Sequence, residues 1–413
     1  MASRLGDSGD LDREYFANSK RLRGEGSAVD RVNLILADAV HQNASDIHFE
    51  PYENEFRVRF RVDGYLRAGA SLPIRMRDAI ISRIKIMANL DIGERRLPQE
   101  GRIKLGFAEF EANGQIDLRV STMPTLFGEK VTLRILDQRK LPPDLSALGL
   151  DQEGLERLQR AITQTYGMVL VTGPTGSGKT STLYTCLDGL NSDEVNIMTV
   201  EDPVEISFPG INQVQIDDQI GRTFARALRS FLRQDPNIIM VGEIRDLETA
   251  EIAVKAALTG HLVLSTLHTN DAPSTINRLL HMGVQPYLVA NSVNLICAQR
   301  LVRRICRGCA QQATLSSEEI RSSGISLNDS GYVESLRGKG CDQCEGTGYK
   351  GRTGLFEVME MSETLRRLVV NGADVARIRE QAQKEGMFTL RESGLRKIRS
   401  GITTLDEVLR QTG

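Results

Sequence analysis

The octapeptide Gly173-Pro174-Thr175-Gly176-Ser177-Gly178-Lys179-Thr180 decides how the rest of the chain is read. It fits G-x-x-x-x-G-K-[ST], in which glycines let consecutive main-chain N–H groups turn inward and cradle phosphate. In that pattern Lys179 reaches the β- and γ-phosphates of a nucleoside triphosphate, the Thr180 hydroxyl ligates Mg²⁺, and Ser181 completes the phosphate-binding run. Upstream, Gly167-Met-Val-Leu-Val-Thr172 reads as a buried strand, and downstream Thr180 to Leu187 reads as a helix. Strand, glycine loop and helix come in the order that brings a helix N-terminus to the phosphates. An ordinary glycine-rich turn needs neither the lysine nor the threonine.

Outward from the loop, strands at 168–172, 196–200, 237–242 and 261–266 alternate with helices near 179–189, 223–234 and 246–258. Such alternation predicts an α/β fold, a largely parallel sheet with helices on both faces. Glu201, Asp202 and Glu205 follow one strand, and Glu243 follows another. Ligands of parallel sheets bind outside the carboxyl ends of the strands, so these acids are expected beside the loop, holding Mg²⁺ or orienting water. Asp202 and Asp246 read equally well as solvated loop acids, whereas Glu243 directly follows an apolar run. His268, after the strand at 261–266, reads either as a γ-phosphate sensor or subunit bridge, or as a packed strand-end residue.

The 413 residues have room for two or three domains. With 52 basic and 54 acidic residues, no Trp and 5% aromatics, the chain has neither the charge nor the stacking surface of a nucleic-acid binder. No apolar run approaches the ~18 residues of a membrane span, and the polar first residues show no signal peptide, so a cytoplasmic location is expected. Residues 1–27 read as a flexible leader. A helix at 28–42, alternating segments at 45–50, 56–61 and 64–67 with an Asp63-Gly64 turn, a helix at 75–88 and strands near 102–108, 115–121 and 130–136 make an α+β domain over 28–138. Leu141-Pro-Pro-Asp144 marks a linker, 139–148, before a larger domain at 149–413.

Four of the six cysteines form Cys306-x-x-Cys309 and Cys341-x-x-Cys344. Four thiolates are the tetrahedral set that Zn²⁺ prefers, and a site closed in this way is structural. An iron–sulfur cluster or redox pair is the rival by ligand type. The zinc-binding subdomain is placed at 303–350, and 354–413 reads as helical, with Thr404-Leu-Asp-Glu407 as a capping box. Cys186 and Cys297 sit in apolar contexts that read as helical core.

Several segments together resemble one family. Glu201-Asp-Pro-Val-Glu205, Arg233-Gln-Asp-Pro-Asn237 running into Gly242-Glu-Ile-Arg-Asp246, and Leu264-Ser-Thr-Leu-His-Thr-Asn270 are similar to the Asp box, Walker B and His box of bacterial secretion and type IV pilus ATPases. Ala44-Ser-Asp-Ile-His48, Arg59-Phe-Arg-Val-Asp-Gly64 and Arg119-Val-Ser-Thr-Met-Pro124 are similar to signatures of that family's second N-terminal domain. The resemblance covers about 28–413. It implies a hexameric ring of RecA-like P-loop domains, each with a helical C-terminal part and a smaller, PAS-like α+β domain in front. It implies ATP and Mg²⁺ at Lys179 and Thr180, with Glu243 activating the attacking water. Glu201 and Glu205 would support the metal or that water, with Glu205 the alternative base. Arg119 and Arg134 match positions that reach the triphosphate when the domains close. Arg229, Arg233, Arg245 and Arg278 match basic positions near the nucleotide or a subunit interface.

The zinc insertion is typical of assembly-type members, and Pro124-Thr-Leu-Phe-Gly-Glu-Lys130 is more similar to pilus assembly ATPases. The implied function is an ATPase motor, peripheral on the inner membrane, that acts on a platform protein and so adds pilin subunits to a pilus. The alternative is a type II secretion ATPase that assembles pseudopilin. A nucleic-acid motor fits the even charge poorly, and a small-molecule kinase would need an acceptor motif that the chain does not offer. Many members carry a further N-terminal docking domain; here only the short leader precedes Ala28, so this resemblance is to a form lacking that domain.

Overall fold

The computed structural model describes residues 27–106, 115–137, 141–315 and 334–413. The chain divides into two compact units, Met1–Arg139 and Lys140–Gly413. The leader expected over 1–27 lies outside the described residues except for Ser27, which caps the first helix.

In the first unit, α1 (Ala28–His41) and α2 (Arg77–Met87) pack on a six-stranded antiparallel sheet. Its strands are β1 (Asp46–Pro51), β2 (Phe56–Val62), β3 (Tyr65–Leu72), β4 (Gln99–Gly106), β5 (Gln115–Thr125) and β6 (Gly128–Leu136), in the order β3-β2-β1-β6-β5-β4. The sequence of β2, Phe-Arg-Val-Arg-Phe-Arg-Val, shows why. Phe56, Val58, Phe60 and Val62 enter the core with Ile35, Leu36, Ile80 and Ile84 of the helices, and the arginines point to the other face. The turn at Asp63-Gly64 puts both residues at positive φ, as a two-residue hairpin requires.

The second unit is built on a seven-stranded sheet in the order β15-β12-β7-β11-β10-β8-β9. These are β7 (Gly167–Thr172), β8 (Ile197–Glu201), β9 (Ile211–Gln215), β10 (Ile238–Val241), β11 (Leu262–Leu267), β12 (Val293–Ile305) and β15 (Tyr349–Glu360). All run parallel except β15, which is antiparallel to β12. Alternate residues of β7 feed two cores. Met168 and Leu170 pack with α5 (Phe224–Phe231), α6 (Leu247–Leu258), α7 (Ala272–His281) and α8 (Pro286–Ser292). Val169 and Val171 pack with α3 (Gln152–Ile162) and α4 (Lys179–Leu190). A strand covered on both faces must be apolar throughout, which is what Met-Val-Leu-Val is. Leu141, Leu145 and Leu150 pack on the second of these cores, so the segment expected as a linker is seated on this unit.

Two expectations are corrected. The region from Gly354 is not helical from its start, because β15 runs to Glu360 and the helices begin at α9 (Glu363–Val370), followed by α10 (Val375–Lys384), α11 (Leu390–Arg399) and α12 (Leu405–Thr412). Thr353 to Met359 is buried without a break, the mark of a sheet-core strand rather than a one-faced helix. Cys297 lies in β12, not a helix. Burial pushes its thiol up, and that of Cys186 to about 12, so both stay protonated and inert core residues.

Candidate nucleotide and metal sites

Parallel pairing aligns Thr172 of β7 with Leu267 of β11 and Ala298 of β12, and Val241 of β10 with Val200 of β8 and Ser265 of β11. Everything that follows these residues therefore gathers at one edge: the glycine loop, Glu201 to Glu205, Glu243, His268, and also Gln299 and Arg300. In the loop Pro174, Thr175 and Gly176 are exposed, while Gly173, Ser177 and Lys179 are buried. Gly173 has φ +151°, and a Cβ there would lie 2.5 Å from the Gln299 carbonyl oxygen. The loop turns into α4 at left-handed Gly178, and no side chain caps that helix start. Its free amides and the macrodipole favour an anion. The Ser177 hydroxyl is buried with no hydrogen-bond partner among the described residues. Lys179 Nζ donates to the carbonyls of Gly173 (2.8 Å) and Pro174 (3.1 Å). Burial lowers its pKa, against the pull of Glu243. Thr180 is exposed one residue into α4, and Ser181 is half-buried beside it. An uncapped helix start, an orphaned buried hydroxyl and a buried lysine on one loop fit a triphosphate with its Mg²⁺.

Glu243 stands between two bases. One carboxylate oxygen pairs with Arg245, and the other is 3.5 Å from His268 Nε2. Burial and the nearby Lys179 charge lower the His268 pKa, which favours the neutral ring. Glu201 differs. It is buried, and its carboxylate accepts from the Tyr184 and Thr199 hydroxyls and from Gln213, the last two at 2.6 and 3.2 Å. Burial raises its pKa in spite of those donors. Glu205 is half-buried, and its Oε2 is buried without a hydrogen-bond partner among the described residues. Arg245 also faces Asp202 at 3.6 Å. Arg229, Arg233 and Arg278 are exposed on α5, in the turn after it and on α7; Arg229 pairs with Glu248 at 2.6 Å.

Within the first unit, Arg119 and Arg134 are directly paired across β5 and β6. Like charges so placed repel, and Glu100 on Arg119 and Asp46 on Arg134, each at 3.1 Å, offset the cost.

Two residues at the phosphate edge escaped the motifs. Gln299 accepts from Thr182 of α4 at 2.8 Å, and Arg300 donates to the carbonyl and side-chain oxygens of Asn270, both at 3.1 Å. They tie the back of the glycine loop to the loop carrying His268. The signal was there: a Gln-Arg pair inside the apolar run Leu295-Ile-Cys-Ala-Gln-Arg-Leu301.

The four cysteines form a second centre just past β12. Cys306 and Cys309 belong to one tight turn, Cys341 and Cys344 to another, joined by the hairpin of β13 (Ala310–Thr314) and β14 (Glu334–Gly338). The Sγ atoms lie within 4.8 Å of one another, with separations of 3.9 Å for 306–341, 3.8 Å for 309–344 and 3.8 Å for 341–344. Zn–S bonds of about 2.3 Å in a tetrahedron give S···S edges of about 3.8 Å, so the thiols fit that ion. The Cys341 and Gly348 amides both donate to Cys344 Sγ at 3.2 Å, the outer support that metal thiolates use. A Cβ on Gly338 would lie 2.1 Å from the Gly348 carbonyl, so the knuckle closes only with glycine there.

The family model described as "Type II/IV secretion system protein" matches residues 21–410. The chain belongs to this family. It is 53% identical over 412 residues to the type IV pilus assembly ATPase PilB of Myxococcus xanthus, covering 99% of this chain and 72% of that protein. It is 48% identical to PilB of Pseudomonas aeruginosa over 98% of this chain and 71% of that one. It is 50% identical to the type II secretion system protein E of Xanthomonas campestris over 95% and 68%. Among solved structures, the Legionella pneumophila ATPase DotB superposes with a TM-score of 0.69 at 22% identity, covering 94% of this chain and 97% of that one. The pilus retraction motor PilT with bound ADP gives 0.61 at 24%, covering 91% and 95%. These structures share the mixed α/β fold with a parallel sheet. No helix among the described residues is long and apolar enough to cross a membrane.

Proposed function

We propose that this protein is an ATPase motor that powers the assembly of type IV pili. The observation that carries the reading is identity of 48–53% to PilB proteins of three bacteria over 95–99% of this chain, whose glycine loop, buried lysine and acidic strand ends meet at one sheet edge. Lys179 would neutralise the β- and γ-phosphates, Thr180 would hold Mg²⁺, and that ion would offset charge on the transferred phosphoryl group. Glu243, poised between Arg245 and His268, would orient or deprotonate the attacking water, with Glu205 the alternative base. Glu201 would brace the edge from behind through Tyr184, Thr199 and Gln213. Arg119 and Arg134 would add positive charge to the triphosphate, and Arg229, Arg233, Arg245 and Arg278 would serve the nucleotide or a neighbouring subunit.

The motor would be a homo-hexamer, peripheral at the inner membrane, acting on a platform protein and through it on pilin. Cys306, Cys309, Cys341 and Cys344 would hold a structural Zn²⁺. The domain scheme of a PAS-like α+β unit over 28–138 and a RecA-like unit over 149–413 belongs to the same proposal. A second reading, pseudopilus assembly in type II secretion, is supported by relatives at 50% identity. The two separate in complementation. Surface pili restored to an extension-deficient strain, by the wild type and not by Lys179→Ala, would support the first reading. Exoprotein secretion restored to a type II-deficient strain, with no pili, would replace it with the second.

A further inference from the structure

Glu357 lies buried in β15, only 3% exposed, and none of the roles above uses it. Its carboxylate joins two helix starts. Oε1 accepts the Ala272 N–H of α7 at 2.7 Å, and Oε2 accepts the Leu390 N–H of α11 at 3.3 Å. Ala272 stands four residues after His268 and directly follows Asp271, whose side chain caps α7 at Ser274 N (2.8 Å) and pairs with Arg379 of α10 (3.0 Å). The other partner, α11, is anchored along its length. Ser393 Oγ accepts the Phe356 N–H at 3.2 Å, Arg396 pairs with Asp151 at 3.2 Å, and Lys397 donates to the Gly149 carbonyl at 2.5 Å. One carboxylate thus fastens the end of the 268–271 loop to a fixed base, while Arg300 fastens its middle through Asn270.

We propose that Glu357 is a positioning residue for ATP hydrolysis: by holding the Ala272 and Leu390 N–H groups together, its carboxylate sets where the 268–271 loop presents His268 to the phosphate edge. The inference rests on reading that edge as the hydrolytic site. Both oxygens accept only in the ionised form, because protonation turns one of them into a donor facing an N–H. Among the described residues, the charged or titratable groups that face Glu357 include Asp271 before α7, Arg379 of α10, and Arg300 and Cys297 of β12. Burial first, and Asp271 with it, outweigh the two amides and Arg379, so the acid is pushed up to about 7.

The sign separates positioning from packing. A carboxyl raised from its ordinary 4.5 to about 7 binds its proton more tightly in the folded state, so stability falls as pH rises between those values. In the folded protein ionisation comes around pH 7 and restores the two-armed hold, so a positioning role makes kcat rise as pH passes 7.

The test is steady-state ATP hydrolysis by the full chain from roughly pH 5.5 to 8.5, a range spanning that ionisation. Glu357→Gln keeps shape and one acceptor oxygen. Its kcat is expected to fall about tenfold, with KM for ATP within about twofold, and the rise across pH 7 is expected to vanish. Wild-type kcat with the rise intact would overturn the proposal. So would kcat and KM worsening together with a lowered melting temperature, since that is a packing defect. Should the glutamine variant fail to fold, Arg379→Gln serves, because losing that cation should move the midpoint of the wild-type rise to higher pH; an unmoved midpoint overturns the proposal. Lys179→Ala is the control: if it hydrolyses ATP normally, the reading of the edge has failed rather than the role of Glu357.

Discussion

Two cradles shaped by glycine lie along one strand. Gln299 of β12 backs the phosphate loop, and Cys306 follows the end of the same strand seven residues later, about 23 Å away at ~3.3 Å per residue. They are built on opposite principles. The phosphate loop is held by what surrounds it: β7, β11 and β12 beside it, α4 behind it, and two apolar cores beneath them. The knuckle has little of that, since Cys306, Cys309 and Cys344 pack chiefly with one another and Cys341. A site supported by its scaffold keeps its shape when its chemistry is removed. A site whose ligands pack chiefly with one another would lose its shape without a metal to hold them.

The sharpest way to break that contrast is at the cysteines. Cys341→Ser with Cys344→Ser, or a strong chelator, should unfold the knuckle and the β13–β14 hairpin, because structural zinc supplies on the order of 10 kcal/mol of local folding energy. Elemental analysis of the wild type should give one zinc per chain. Hydrogen exchange should lose protection at Cys306, Lys339 and Cys344, whose amides bond within the knuckle, and keep it in β7. Loss of protection in both places would mean that the two cradles are one folding unit. Next comes Lys179→Ala. It should cost about a thousandfold in turnover, as removal of a preorganised charge does, and leave the melting temperature near the wild-type value. Turnover near wild type would mean that the loop is no hydrolytic site. Glu243→Gln should be milder, about a hundredfold slower, with ATP still bound. Rapid phosphate release from that variant would shift the role of base to Glu205.

The same contrast explains what was legible. Both cradles announce themselves because their chemistry demands fixed residue types at short spacing: a lysine after glycine in one, paired cysteines in the other. Four inner strands of the central sheet, β7, β8, β10 and β11, were legible too, since β7, β10 and β11 are buried on both faces and read as short apolar runs bounded by turns. The members that escaped are set by long-range pairing. The polar Gln299 and Arg300 gain meaning only when β12 lies beside β7. Glu357 looks like an ordinary acid of the stretch expected as helical until the fold brings Ala272 and Leu390 to it from 85 and 33 residues away. Glu201 reads as a strand-end acid at the active edge, but it is taken up by Tyr184, Thr199 and Gln213, a partnership that follows from the packing of α4 and β9. β15 was missed because the unbroken buried run from Thr353 to Met359 has no period that separates strand from helix.

The smallest expected effect tests whether the knuckle is anchored from below. At its base Arg303 stacks over the Tyr349 ring at 4.0 Å and donates to Glu407 at 2.8 Å. Thr404 caps α12 by accepting the Glu407 N–H at 3.4 Å and also bonds the Tyr349 hydroxyl at 2.8 Å. Ile305, next to Cys306, donates its N–H to the Ile402 carbonyl at 2.9 Å. Thr404→Ala removes a helix cap and the tyrosine's partner together, a loss of about 1 kcal/mol that should lower the melting temperature by about 2–4 °C. If the C-terminal helix anchors the knuckle, zinc should leave the variant measurably faster when challenged with chelator, while ATP turnover stays at the wild-type rate. Unchanged zinc release with the same fall in melting temperature would mean that the knuckle does not lean on the Thr404 cap. In that case the cysteine knuckle stands on β12 and β15, the strands that enter and leave it, and β12 is also the strand that carries Gln299 and Arg300 to the phosphate loop.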